Sequence, residues 1–206
     1  MHAIIFDIDG TLLQSAAVDD ALYREAVRRV LGEVQLRSSL HAYDYVTDTG
    51  ILYQIVADNE IPVEQEPLHE IKSHFVDLLR GHVDENGPFL EIPGASDLLA
   101  SLRASSAHAV AIATGGWRES AELKLQSAGF DYSNVPLVTS NDHHERTSIM
   151  ELALGQLGNR FDSVTYYGDG PWDQQACLEL GWQFVAVGPE LGGLMSYEGH
   201  FPNGYS

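Results

Sequence analysis

Asp7 and Asp9, in the stretch HAIIFDIDGTLL, stand two residues apart where the apolar run Ala3 to Phe6 gives way to a turn signal at Gly10. Residues i and i+2 of a strand share a face. If the strand runs on through this stretch, both carboxylates project together at its carboxyl end. Two carboxylates that close repel, so the pair needs a shared proton, a cation lying against both, or plain solvation. A simpler reading is a turn, because Asp-Gly is a common turn dipeptide and the Thr after it could cap a helix. The pattern recurs, however. Thr114, with Gly115 and Gly116, closes the apolar run AVAIAT (109–114), and Asp169 closes SVTYYGDG (163–170), with Asp173 four residues later. Polar residues beside glycines at the ends of three separate runs, where backbone can approach a ligand closely, speak against an isolated turn.

Such residues need strands to carry them. Besides the three runs above, VPLVTS (135–140) and QFVAVG (183–188) read as strands. Helical patterns separate them. Leu98, Leu99 and Leu102 share a face; a helix runs from about Trp117 to Ala128 and stops at Gly129; Ile149, Leu152, Ala153 and Leu157 mark a third; a fourth is expected after Asp173, ending at Gly181. Strands alternating with helices predict an α/β fold with a doubly wound parallel sheet, which binds ligands beyond the carboxyl ends of its strands. Residues 15–90 carry no convincing strand. VDDALYREAVRRVLG, GILYQIVADN and PLHEIKSHFVDLLRG each gather their apolar residues on one helical face. The expected organisation is a core of residues 1–14 and 91–206 with an inserted helical cap of residues 15–90, placed to act as a lid over the Asp pair.

Composition narrows the function. The chain has 206 residues, 44% of them hydrophobic, and no stretch approaches the roughly 20 apolar residues of a membrane span. No membrane partner is expected, and without a basic flank or cleavage site before the first strand the expected location is cytoplasmic. A net charge of −19 argues against nucleic acid as a partner. Nine Arg and two Lys supply all the fixed positive charge, so a site for an anion must concentrate it locally, from a metal ion, a few Arg or backbone amides. The single cysteine, Cys177, lies in an apolar helical pattern and reads as a small buried hydrophobe.

DIDGTL, the strand ending in Thr114, and GDGPWD resemble three of the four signature motifs of the haloacid dehalogenase superfamily, in particular its phosphoglycolate phosphatase-like members with a helical cap after the first motif. The resemblance implies that Asp7 is a nucleophile that forms an aspartyl-phosphate. Asp9 would be the general acid and then the base, with its backbone carbonyl facing a metal. The implied metal is Mg²⁺, held by Asp7 and Asp169, with the Asp9 carbonyl facing it and Asp173 on the ion or just behind it. It would neutralise the clustered acids and let an anionic phosphate approach. Thr114 and the amide of Gly115 would bond the phosphoryl oxygens.

One motif departs from the pattern. The family places a Lys before the helix that precedes the last catalytic strand, and neither Lys72, in the cap, nor Lys124, within a helix, stands there. Arg146, in NDHHERTSIM, does; it keeps the charge and can fork onto phosphate. The competing expectation is a surface Arg paired with Glu145 or Asp142. The neighbouring His143 and His144 lack ligand spacing and read as solvated.

The expected function is hydrolysis of a small phosphorylated metabolite. Asp9 argues against carbon–halogen cleavage, and Lys72 falls too late in the cap to form an imine with a phosphonate substrate. A phosphomutase of the β-phosphoglucomutase type shares all these motifs, and a non-catalytic binding module that keeps the fold is the alternative of another class. Specificity is expected in the cap stretch YDYVTDTGI, through Thr47, Asp48 and Thr49, unless Thr47 or Asp48 merely caps the helix that begins near Gly50. Arg24, Arg28 and Arg29 form a solvated face, or one of them meets the carboxylate of a phosphoglycolate-like substrate.

Overall fold

The computed structural model describes residues 1–62, 65–158 and 160–201. Five apolar runs form strands: β1 (His2–Phe6), β2 (His108–Ala113), β3 (Leu137–Val138), β4 (Ser163–Gly168) and β5 (Gln183–Ala186). They pair in parallel into one sheet with the order β3-β2-β1-β4-β5. Phe6 lies beside Ile112 of β2 and Tyr167 of β4, so the three middle strands end level at one rim.

β1 is apolar at successive positions because both of its faces are covered. Ile4 and Phe6 pack with Leu98, Leu99 and Leu102 of α4 (Ala95–Ala104) and with Ala121 and Leu125 of α5 (Arg118–Ser127). Ile5 points the other way, onto Ile149, Met150 and Ala153 of α6 (Arg146–Gln156) and Ala176 and Cys177 of α7 (Pro171–Leu180). Helices on both faces make the sheet doubly wound, as the alternating pattern predicts.

Between β1 and α4 the chain forms α1 (Ala16–Leu31), a 3₁₀ turn at Leu40–Ala42, α2 (Asp48–Asp58) and α3 (Gln65–Asn86), with no named strand among the described residues. These helices build a second apolar cluster around Tyr23, Val27, Ile55, Phe75 and Leu79. Trp117, at the foot of α5, is inserted into it, with its ring 5.4 Å from Tyr23 and 6.0 Å from Phe75. Truncating a Trp so buried typically costs about 3–5 kcal/mol, so the helical segment is fastened to the sheet layer by packing as well as by chain connection.

Three elements differ from the sequence pattern. β1 stops at Phe6, and the N–H groups of Thr11, Leu12 and Leu13 all bond the Ile8 carbonyl, at 3.1, 2.9 and 2.9 Å, so Asp7 and Asp9 leave the sheet in a tight turn and do not share a strand face. Of VPLVTS only Leu137 and Val138 are in the sheet; Pro136 has no N–H to give, which suits the start of an edge strand. α7 begins at Pro171 rather than after Asp173, because a proline fits the first turn, where its missing N–H is not needed. No helix among the described residues is long and apolar enough to cross a membrane.

Candidate active site

The residues just past β1, β2 and β4 meet at the level rim. The Asp7 N–H continues the ladder to the Tyr167 carbonyl (2.9 Å), and the Thr114 N–H bonds the Val138 carbonyl (3.0 Å), so both side chains leave a fixed backbone. Asp7 is 4% exposed, and its Oδ1 has no hydrogen-bond partner. Asp7, Asp169 and Asp173 each contribute a carboxylate oxygen to a group whose members lie within 4.8 Å of one another. Asp173 sits in the first turn of α7, where its Oδ2 accepts the Gly170 N–H at 3.1 Å. The chain closes over Asp169 through Gly10, whose φ is +73° and where a Cβ would stand 2.1 Å from Asp169 Oδ2. Only glycine fits there.

Arg146 opens α6, with its side chain 11% accessible. Its Nη1 donates to Asp173 Oδ1 (2.7 Å) and stands 4.0 Å from Asp7 Oδ1, while its Nη2 donates to the Val46 carbonyl (2.8 Å) in the helical segment. It is therefore no surface partner of Asp142 or Glu145; Asp142 pairs instead with Arg118 (2.9 Å), and Glu145 accepts from Ser148 (3.3 Å). One guanidinium does not balance three acids. Burial, with repulsion from Asp173, pushes the Asp7 carboxyl up to about 7 against the pull of Arg146. Burial and the Asp7 charge take Asp169 to about 9, and burial raises Asp173 despite its Arg partner. An all-oxygen donor set with an orphaned carboxylate oxygen and surplus negative charge fits a hard divalent cation such as Mg²⁺.

The Asp9 carboxylate lies outside this group. Both its oxygens are 2.7 Å from the Lys124 Nζ, and Ser15 Oγ donates to Oδ1 at 2.5 Å. Lys124 is fully buried on α5 and pairs with Asp19 of α1 as well. Burial alone would lower its pKa, but Asp19 and Asp9 outweigh burial and raise it. Lys124 thus reaches the site after all, on Asp9 rather than on Asp7, and Asp19 joins it. The available signal was a Lys on the same helical stripe as Ala121 and Leu125, since a buried Lys demands acid partners.

Thr114 is buried and its Oγ accepts the Gly116 N–H (3.2 Å). At Gly115 a Cβ would come within 2.4 Å of Arg146 Nη2 and 3.0 Å of the Val46 carbonyl, so the absence of a side chain admits both the guanidinium and the helical segment. Its carbonyl accepts the Asp48 N–H at 2.8 Å. Thr47 caps α2, accepting the Gly50 N–H at 3.0 Å, and its hydroxyl donates to the His144 carbonyl (2.6 Å). Asp48 Oδ2 accepts the Trp117 N–H (2.8 Å). Thr49 is turned to the core, accepting from Trp117 Nε1 (2.9 Å) and donating to the Ser140 carbonyl (2.9 Å). Asp7, Thr114, Gly115, Arg146, Thr47 and Asp48 all line one cavity of about 280 Å³ between the rim and the helical segment; Thr49 does not.

The remaining candidates lie outside the cavity. Arg24 is forked onto Asp20 at 2.9 Å, Lys72 stands over the Trp117 ring (5.1 Å), and His143 stacks on His144 (4.8 Å). Cys177 is buried, and burial pushes its thiol up to about 12, far from a reactive thiolate.

The family model for haloacid dehalogenase-like hydrolases matches residues 1–181. The chain belongs to the haloacid dehalogenase-like hydrolases. Among solved structures, this hydrolase is similar to a hydrolase from Pseudomonas syringae, with 21% identity, a TM-score of 0.72, and coverage of 90% of this chain and 84% of the other. It is also similar to β-phosphoglucomutase from Clostridium difficile (16% identity, TM-score 0.69, 95% and 85% covered). CbbY from Rhodobacter sphaeroides, solved in complex with phosphate, matches at 17% identity and a TM-score of 0.64, with 94% and 87% covered. At these identities the likeness is one of fold. No curated protein sequence matches the chain.

Proposed function

We propose that this haloacid dehalogenase-like hydrolase is a Mg²⁺-dependent phosphatase that hydrolyses a small phosphate monoester through an aspartyl-phosphate on Asp7. The observation that carries the reading is the buried Asp7 carboxylate, one oxygen of which has no hydrogen-bond partner, in a cavity that Arg146, Thr114 and Gly115 also line. Asp7, Asp169 and Asp173, with the Asp9 carbonyl, would hold Mg²⁺, which would supply electrostatic neutralisation of the phosphoryl oxygens and of the acids around them.

The protein's own residues do the rest. An Asp7 oxygen attacks phosphorus as the ester P–O bond breaks, and Asp9 gives a proton to the departing alkoxide. Water then attacks the same phosphorus, its proton passes to Asp9, and the Asp7–phosphorus bond breaks to release inorganic phosphate. Arg146 and the Thr114–Gly115 turn hold the phosphoryl oxygens. Residues 15–90 serve as the cap over a core of residues 1–14 and 91–206, with Thr47 and Asp48 facing the leaving group.

The resemblance to β-phosphoglucomutase supports a second reading, in which the phosphoryl group on Asp7 returns to a second sugar hydroxyl rather than to water. Steady release of phosphate from p-nitrophenyl phosphate, dependent on Mg²⁺ and lost in Asp7→Asn, supports the phosphatase. Isomerisation of a sugar phosphate that requires the bisphosphate, with little phosphate release, supports the mutase and refutes hydrolysis as the main reaction.

A further inference from the structure

Away from Asp7, the cavity is walled by Asp19, Asp20, Asp48 and Glu190, with apolar surface from Leu40, Val46, Ile51 and Trp172. Among its described lining residues the one Arg or Lys is Arg146, whose Nη1 is taken by Asp173 and whose Nη2 is taken by the Val46 carbonyl. Nearby cations are already committed. Lys124 is enclosed between Asp9 and Asp19, and Arg24 reaches Asp20 and the Arg37 carbonyl (3.1 Å). The Tyr23 hydroxyl, which could have donated to a ligand, donates to the Asp48 carbonyl at 2.7 Å. Burial and the neighbouring Asp19 raise Asp48 well above the usual carboxylate range, so this part of the wall already resists the charge it has and would resist another carboxylate beside it. Asp7, whose buried Oδ1 has no hydrogen-bond partner, lines this same cavity, so the acid wall shares its space with a group that a ligand can complete.

We infer that the alcohol released from this site carries hydrogen-bond donors, hydroxyl or ammonium, and no carboxylate. The inference rests on the phosphatase reading and narrows it. A leaving group lying against Asp48 and Glu190 meets acceptors, which a hydroxyl or an ammonium satisfies and a carboxylate cannot. A carboxylate there would also stand among like charges, in a cavity whose low-dielectric walls strengthen the repulsion. The family likeness to phosphoglycolate phosphatases therefore does not extend to the substrate's acid group: none of Arg24, Arg28 and Arg29 lines the cavity to receive it. The cavity volume, about 280 Å³, lies near the low end for small-molecule sites and suits a short alcohol.

Three two-carbon esters of similar size separate the chemistries: phosphoethanolamine, ethylene glycol monophosphate and phosphoglycolate carry CH2–ammonium, CH2–hydroxyl and carboxylate at the second carbon. Each is assayed with Mg²⁺ on the full chain, with p-nitrophenyl phosphate as the common reference, and any ester not turned over is measured as a competitive inhibitor of that reference. We expect kcat/KM, or the inhibition constant, to favour the first two over phosphoglycolate by about tenfold or more. The double variant Asp48→Asn, Glu190→Gln should narrow the gap. Phosphoglycolate used as well as, or better than, both others overturns the inference while leaving the phosphatase intact. Failure to hydrolyse any ester, the reference included, overturns the phosphatase reading itself.

Discussion

At the rim of the sheet, Asp7, Asp169 and Asp173 share one guanidinium and leave Asp7 Oδ1 unpartnered, whereas one turn further along the chain Lys124 grips both oxygens of Asp9 and reaches Asp19 as well. Both arrangements bury carboxylates. The first is short of positive charge and of hydrogen-bond donors, while the second is closed upon itself. A buried charge without a partner costs several kcal/mol, so the first is relieved by taking up a proton or a cation; the second holds one carboxylate in one orientation. Charge left uncompensated at the rim leaves room for a ligand, whereas the compensated charge at Asp9 fixes the orientation of a carboxylate that lines the same cavity.

Breaking the first arrangement at its centre should have the largest effect. Asp7→Asn is expected to lower kcat about 10⁴-fold or more, with the melting temperature kept or raised because one of three mutually repelling acids is gone. Phosphate release and thermal unfolding on the same preparation check it; an active variant removes Asp7 from the chemistry. Breaking the second arrangement should instead strike the fold. Lys124→Met leaves Asp9 and Asp19 buried without their cation and should cost about 3–5 kcal/mol of stability in denaturant unfolding. A variant as stable as the parent would show that the clamp is incidental. Arg146→Met sharpens the contrast at the rim, with an expected loss of about 10²- to 10³-fold in kcat. Since Asp173 then has no ion pair, Mg²⁺ should bind no more weakly by calorimetry. At the bottom of the scale, Asp77→Asn breaks an exposed pair with Arg80, where both side chains are more than half accessible, and should move stability by less than about 0.5 kcal/mol.

The rim was legible because each of its parts is written locally. Asp7, Thr114 and Asp169 each follow their own apolar run, and the parallel pairing that brings the runs level is the general behaviour of alternating strands and helices. Arg146 could be placed by its position at the start of α6, although its partner could not: Asp173 lies 27 residues away, and its place in the first turn of α7 depends on a helix that starts at Pro171, earlier than the pattern suggested. The Lys124 clamp was illegible for a related reason. Asp9 and Lys124 are 115 residues apart, and Lys124 and Asp19 105, so nothing local connects them. The premise that Asp7 and Asp9 share a strand face failed as well, because the chain turns about the Ile8 carbonyl directly after β1 and sends the two carboxylates to different partners. Thr47 reads correctly as a cap, yet it also lines the cavity, a double duty that helix signals alone cannot reveal.

Trapping the phosphoryl group tests the central claim most directly. The full chain is mixed with p-nitrophenyl phosphate and Mg²⁺, quenched in acid within a turnover, reduced with borohydride and digested for mass spectrometry. An acyl phosphate on the nucleophile is predicted to leave homoserine at position 7 and at no other acid, and Asp7→Asn to leave none. Homoserine at Asp9, Asp169 or Asp173, or none at all while phosphate is being released, would contradict Asp7 as the residue that takes up phosphorus.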